Sequence, residues 1–305
     1  MPFELADFGG TFLTSAPVRD GDHVSPGINA YVQWFIPVGR RPMSLLLVHG
    51  GGGQGSDFIR TPDGRPGWVH SFLRAGYATY VIDRPGHGRS HWNNRALGPT
   101  APAADYDALY SRFIEPEKER LWSDAVAHNR WPADPLAGDR FMAGQGPMAD
   151  SLASSQRHVE AIAEQLFRMT GPTIIVSHSM GAPCGWALSA LGGENVAAVV
   201  AAEPFGYPGM VHPLGVFDNG LVSTSYQGHH DPFARPIAVV TGEATWMREA
   251  NARAAEFLRA RAPVFEHIRL ERHGITGNGH MLMSESNSDE IAGLMVRWLD
   301  LNIPS

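Results

Sequence analysis

The chain lacks the features that define several classes of protein. It has one cysteine, Cys184, in 305 residues, so it can form neither an internal disulfide nor a cysteine-rich zinc site. That usage suits a reducing compartment, and a cytoplasmic location is expected. No run approaches the ~18 apolar residues of a membrane span, so no membrane partner is expected. The opening residues, Met1 to Asp7, lack the basic and apolar regions of a secretory leader. Lys and Arg number 24 against 31 Asp and Glu, a net charge of −7, with no basic cluster. A phosphate backbone attracts concentrated positive charge, so nucleic acid is not an expected partner. Internal repeats and low-complexity tracts are absent too.

What is present is a globular composition, 43% hydrophobic and 18% charged. A chain of this length buries enough surface to fold without a disulfide or metal staple. With 34 Gly and 23 Pro it should contain many sharp turns and irregular connections. Short apolar runs at 31–36, 45–48, 78–82, 173–176, 196–201, 237–240 and 265–270 alternate with helical patterns. This predicts βαβ units and a mostly parallel sheet. The first run, with residues 10–13, reads as an antiparallel edge. Helices are expected at 68–73, 182–191 and 247–261, through Val159, Ile162, Ala163 and Leu166, and from Ile291 to Leu299. A helical portion is also expected around 117–127. Two long stretches, 91–151 and 204–236, break the alternation and read as lid or cap insertions in a single domain spanning 1–305.

Three segments carry chemistry. In Thr173-Ile174-Ile175-Val176-Ser177-His178-Ser179-Met180-Gly181, a buried strand runs through Ser-x-Ser-x-Gly into a helix. A serine on such a turn sits at a helix N-terminus, where N–H groups favour developing negative charge. Ser179 is the candidate nucleophile. A second strand ends in Val48-His49-Gly50-Gly51-Gly52-Gly53, where glycines let backbone N–H groups approach a ligand. Gly51 and Gly52, with Met180, are candidate oxyanion donors, and His49 reads as an organiser of the loop. No Gly-Lys-Ser/Thr follows, which argues against a phosphate loop. In the third segment, His280 lies in Gly277-Asn278-Gly279-His280, after the last predicted strand. It is the candidate base, with His273 as competitor. The acid is Glu203, closing the run Val199-Val200-Ala201-Ala202, or alternatively Glu243 at the end of the next strand.

Together these residues resemble the α/β-hydrolase superfamily, and Asp83-Arg84-Pro85-Gly86-His87-Gly88-Arg89-Ser90 resembles its D-x-x-G-x-G-x-S segment. The resemblance runs from Leu45 to Leu299. Within the superfamily the chain is similar to bacterial serine esterases, and to lactonases, whose acid is a Glu after strand six. The shared features are His49-Gly50, Ser177-His178-Ser179, Ala202-Glu203-Pro204 and Gly277-Asn278-Gly279-His280. The resemblance implies an α/β-hydrolase fold with helices on both sheet faces, a Ser–His–Glu triad, no cofactor or metal, and a lid between strands six and seven. Ser177 in place of the first elbow glycine and the run of four glycines depart from the pattern.

The expected function is that of a serine hydrolase acting on a small, apolar ester or lactone through an acyl-enzyme. A C–C bond hydrolase would use the same triad, and a ligand-binding protein on a hydrolase scaffold is the non-enzymatic alternative. Dehalogenases and epoxide hydrolases of this architecture need Asp at the elbow, where this chain has Ser179. Trp92, Trp122, Trp131, Phe205, Tyr207, Phe217 and Tyr226 lie in the two insertions and are candidates to line the pocket. The sequence is also compatible with a homo-oligomer.

Overall fold

Runs of consecutive apolar residues suit strands covered on both faces, and eight strands form one sheet in the computed structural model. These are β1 (Leu5–Thr14), β2 (Asn29–Pro37), β3 (Ser44–Val48), β4 (Ala78–Asp83), β5 (Thr173–His178), β6 (Val196–Ala202), β7 (Ile237–Thr241) and β8 (Phe265–Arg269). Their order is β1-β2-β4-β3-β5-β6-β7-β8. The pairs β1/β2 and β2/β4 are antiparallel, and every other pair is parallel. The structure describes residues 3–119, 126–207, 211–212, 215–216 and 230–303.

Alternation along the strands sorts the core into two layers. Leu45, Leu47, Val81, Val176 and Val200 face α1 (Trp68–Arg74) and the last helix, whose Trp298 and Met295 are buried among them. Leu46, Val48, Ile82, Ile175 and Val199 face the opposite side. There α3 (Ala163–Thr170) and α4 (Gly181–Gly192) bring Leu166, Trp186 and Leu188. The remaining helices are α2 (Leu152–Glu160), α5 (Arg248–Arg259) and α6 (Ser288–Asn302). Among the described residues, no helix is long and apolar enough to cross a membrane.

One expectation needs correction, and a second falls largely outside the described residues. The helix read through Val159 and Leu166 is two helices, because Ile162 leaves helical dihedrals at φ −117° and its N–H bonds back only three residues, to Val159. All four periodic residues stay buried across this kink, which is why the sequence pattern runs through it. Around 117–127 the described part is a short 3₁₀ turn, Pro116–Glu119, followed by an irregular stretch from residue 126, and 120–125 lie outside the described residues. The 91–151 stretch also holds short helices at Asn94–Leu97, Tyr106–Leu109 and Ala137–Ala143, and a π-helical turn at Tyr110–Ile114.

The chain passes from β3 outward to β4, then crosses back over β3 to β5. Loops leaving the C-terminal ends of β3 and β5 therefore diverge, and the crevice between them is where ligands bind in open α/β sheets. Gly50 and Ser179 lie on those two loops.

Candidate active site

Ser179 occupies the tight turn between β5 and α4 at φ +50°. A non-glycine residue in this region is strained, so the surroundings must hold it. Its N–H donates to Ala202 O (3.0 Å), and its carbonyl accepts from Ala182 and Phe205. A Cβ on Gly181 would stand 2.3 Å from the His49 carbonyl oxygen, so the second elbow glycine is sterically required. The first elbow position tolerates Ser177 because Gly185 faces it from α4. A Cβ at Gly185 would approach the Ser177 side chain to 3.1 Å.

His280 lies beside this turn, with its Nε2 2.8 Å from Ser179 Oγ and its Nδ1 3.3 Å from Glu203 Oε2. The carboxylate assigns the proton to Nδ1, so Nε2 accepts from the serine hydroxyl. The imidazole stacks on Phe113 (centroids 5.5 Å apart, 17° between planes) and is flanked by Trp246. Its backbone is pinned on all sides. The Nε2–H of His178 donates to His280 O (2.9 Å), and Gly279 N–H and the Asn278 amide donate to Glu285. Burial pushes His280 well below an ordinary histidine, to about 3, with Glu285 opposing and Arg112 adding to the shift. The imidazole is therefore neutral at neutral pH, the form able to take a proton. His273 lies exposed at the end of a 3₁₀ turn and takes no part.

Glu203 immediately follows β6 and, like Ser179, is a non-glycine residue at positive φ, +49°. Its fully buried carboxyl accepts from Gly242 N–H (2.6 Å), Thr245 Oγ1 (2.7 Å) and Asn251 Nδ2 (2.9 Å) as well as facing His280. Burial pushes it up, to about 8, against the opposing pull of these three donors. Because every partner is a donor, the surroundings suit the ionised form. Glu243, the alternative acid, points elsewhere and accepts the Gly277 N–H (2.8 Å), bracing the turn that carries His280.

The glycine loop is held from behind by a buried arginine. Arg84 donates to the carbonyls of Gly50 (3.2 Å) and Gly51 (2.6 Å) and to Ser155 Oγ (2.9 Å). With those carbonyls turned toward Arg84, the N–H groups of Gly51 and Gly52 point away from it across the same trans peptide planes. His49 links the loop to the β4 turn, because its Nε2 accepts the Arg84 N–H (3.0 Å) while Nδ1 donates to Gly50 O. Burial and the Arg84 charge keep this imidazole neutral. In the D-x-x-G-x-G-x-S segment Asp83 is structural, accepting from Gly55 N–H and from the Arg89 backbone and side chain.

A cavity of about 210 Å³ opens over Ser179 and His280, and Gly51, Gly52 and Met180 share its wall. Of the insertion aromatics named from sequence, Phe205 lines it. Trp92 packs over Gly86, Trp131 on Phe141, and Tyr207 on Phe257. Trp122, Phe217 and Tyr226 lie outside the described residues. The aromatic wall is supplied mainly by Phe113, Phe141 and Trp246, of which the first two belong to the 91–151 stretch. Most of the segment between β6 and β7, where the resemblance implies a lid, is outside the described residues.

A strained serine after the fifth strand, hydrogen-bonded to a histidine after the eighth, prompts comparison with known proteins. The family model described as alpha/beta hydrolase fold matches residues 44–238. The chain belongs to the α/β-hydrolase family. It is 28% identical over 314 residues to a fungal protein (strain ATCC 74256) named "Probable secreted lipase phiG", covering 88% of this chain and 85% of that one. Among solved structures, a bacterial esterase superposes with a TM-score of 0.74 at 23% identity, over 99% of this chain and 98% of that one. An esterase of Pyrococcus furiosus superposes with a TM-score of 0.52 at 14% identity, over 99% and 94%. At these identities the structural likeness is one of fold.

Sequence reasoning missed Thr245, Asn251, His178, Glu285 and Arg84. One signal was available: Asn251, Ala254, Ala255 and Leu258 form the buried stripe of α5, and a polar residue heading an apolar stripe needs a partner. Arg84 and His178 lie within motifs that gave them no role of their own, and Thr245 and Glu285 carried no pattern at all.

Proposed function

We propose that the protein is a serine hydrolase that cleaves a carboxylic ester or lactone through an acyl-enzyme. The observation that carries this reading is the unbroken line from Ser179 Oγ through His280 to the buried Glu203 carboxyl, opening on an apolar cavity. Ser179 Oγ attacks the carbonyl carbon as its proton passes to His280 Nε2. The electron pair displaced onto the carbonyl oxygen is met by the N–H groups of Gly51, Gly52 and Met180. Collapse expels the alkoxide, which takes the proton from Nε2. Water then attacks the acyl-enzyme, again giving its proton to His280, and the acid leaves as Ser179 recovers its hydrogen. Glu203 keeps Nδ1 protonated throughout and stabilises the transient imidazolium. Histidine and water carry every proton, so the cycle calls for no cofactor.

The 28% identical relative named as a lipase and the fold shared with esterases support an ester as substrate. The cytoplasmic location expected from the single cysteine draws no support from a relative named as secreted. The test is reaction with a fluorophosphonate, followed by mass spectrometry of the digest. The adduct should map to Ser179 and disappear in Ser179→Ala, whereas an adduct on Ser177 or no adduct at all overturns the assignment.

A further inference from the structure

The cavity over Ser179 is apolar except at a few points, and one of these is a permanent charge. Arg112 sits on the π-helical turn Tyr110–Ile114, beside the Phe113 that stacks on His280. Its guanidinium carbon lies 5.6 Å from the centre of the Trp246 ring, and that ring also flanks His280, at 5.7 Å. Arg112 and His280 thus contact the same indole, and both line the cavity. Asp105, Asp107 and Glu115 line the adjoining hollow on which Arg112 borders, yet Arg112 forms no ion pair among the described residues. A guanidinium stays charged at every working pH and offers a planar fork suited to a carboxylate. Facing an apolar chamber with no counter-ion among the described residues, it lacks there the partner that such a group usually finds.

Resting on the esterase reading above, we infer that the preferred substrate is a small ester bearing a free carboxylate, which Arg112 binds across Trp246 from the reacting carbonyl. The volume points the same way. A cavity of about 210 Å³ falls below the ~300–1,000 Å³ of pockets for drug-sized ligands, so a compact substrate fits better than a long acyl chain. The carboxyl group in the same wall, Asp57, is pushed up to about 7 by burial, with Asp83 nearby adding to the shift. It would repel an incoming carboxylate far less than an ordinary aspartate.

The test compares kcat/KM within two matched pairs. Para-nitrophenyl hydrogen glutarate is set against para-nitrophenyl hexanoate, placing the charge on the acyl side. Para-acetoxybenzoate is set against para-acetoxybenzamide, placing it on the leaving side. In at least one pair the anion should be preferred by about tenfold or more, the effect of one charge-assisted hydrogen bond. Arg112→Met should bring that ratio to about one, and Arg112→Lys should keep part of it. A ratio taken within one variant is insensitive to how much of it folds. Equal or better turnover of the neutral esters, or a preference that survives Arg112→Met, overturns the inference and leaves the esterase reading standing. Failure to hydrolyse any of the four overturns both.

Discussion

Among the described residues, two histidine–glutamate pairs are buried, both tied to the 277–280 turn, and they differ in what the far ring nitrogen meets. In one, His280 stands 3.3 Å from Glu203, and its other nitrogen accepts from Ser179 Oγ. In the other, His128 stands 3.2 Å from Glu285, and its other nitrogen donates to the carbonyl of Ile114. A hydroxyl can donate and a carbonyl cannot, so the first imidazole keeps a free base while the second has acceptors on both sides. The consequences for charge are opposite. Burial pushes His280 down, whereas His128, despite its burial, is raised by Glu285 and by the Ile114 carbonyl. One pair is built to move a proton and the other to hold one. The second clamps residues 128–130 onto the histidine turn, helped by Asn129 N–H to Gly277 O (3.1 Å) and Arg130 Nε to Thr276 O (2.7 Å).

The largest effects should come from breaking the first pair's line to the serine. Ser179→Ala and His280→Ala should each lower kcat/KM on the order of 10⁴-fold or more with little change in melting temperature. Because burial holds the His280 pKa low, the acidic limb of the wild-type kcat/KM profile should fall below the ordinary histidine value of ~6.5. A limb at or above that value would show that the buried imidazole charges more easily than its surroundings allow.

Substituting the two glutamates should separate the pairs by readout. In Glu203→Gln the new NH₂ group must face a donor whichever way it turns, since Gly242, Thr245, Asn251 and His280 all donate. Losing the charge beside the imidazolium should cost kcat on the order of 10³-fold. Glu285→Gln faces the same donor conflict with Gly279 and Asn278, and it also leaves His128 buried without its counter-charge. It should cost about 3 kcal/mol of stability, read from denaturant unfolding, while the folded fraction keeps kcat within about tenfold. Glu243→Gln retains an acceptor for the Gly277 N–H and should change little. Equal kcat losses in Glu203→Gln and Glu285→Gln would dissolve the distinction.

The sequence exposes one of these pairs and conceals the other for a physical reason. Strands β3 to β7 are legible because buried parallel strands are apolar at consecutive positions. Ser179, Glu203 and His280 follow from where those strands end and in what order, helped by the family resemblance. His128 and Glu285 belong to irregular chain with no periodicity, and nothing local marks one as the other's partner. The cavity wall is obscure for the same reason. Trp92 and Trp131 look like lining residues by composition, but Trp92 packs over Gly86 and against His158 and Trp131 packs on Phe141, while Phe113 and Trp246 line the site from a π-helical turn and a loop. Arg84 reads from sequence as part of a glycine-rich motif, and its contact with the Gly50 and Gly51 carbonyls exists only once β3 and β4 lie side by side.

The smallest effect is a pH dependence of stability whose sign belongs to the second pair and not to the first. The His128 pKa is raised in the folded protein and returns to ~6.5 when the chain unfolds. A group with a raised folded pKa binds its proton more tightly in the native state. Its stabilisation is therefore complete below the unfolded value and is lost as pH climbs through the folded one. His128→Gln can still donate to the Ile114 carbonyl through its amide but carries no charge toward Glu285. The melting temperature of wild type should exceed that of His128→Gln by the largest margin near pH 6, where a charged imidazole faces Glu285 across 3.2 Å. The two should converge as pH rises toward 9. His280→Gln should behave in the opposite sense: the depressed His280 pKa makes the wild type lose stability as pH falls below the unfolded value of ~6.5, a loss the variant escapes. If the His128 gap stays constant across the range, the side chain is held neutral, and the contrast between the two pairs is one of packing instead of charge.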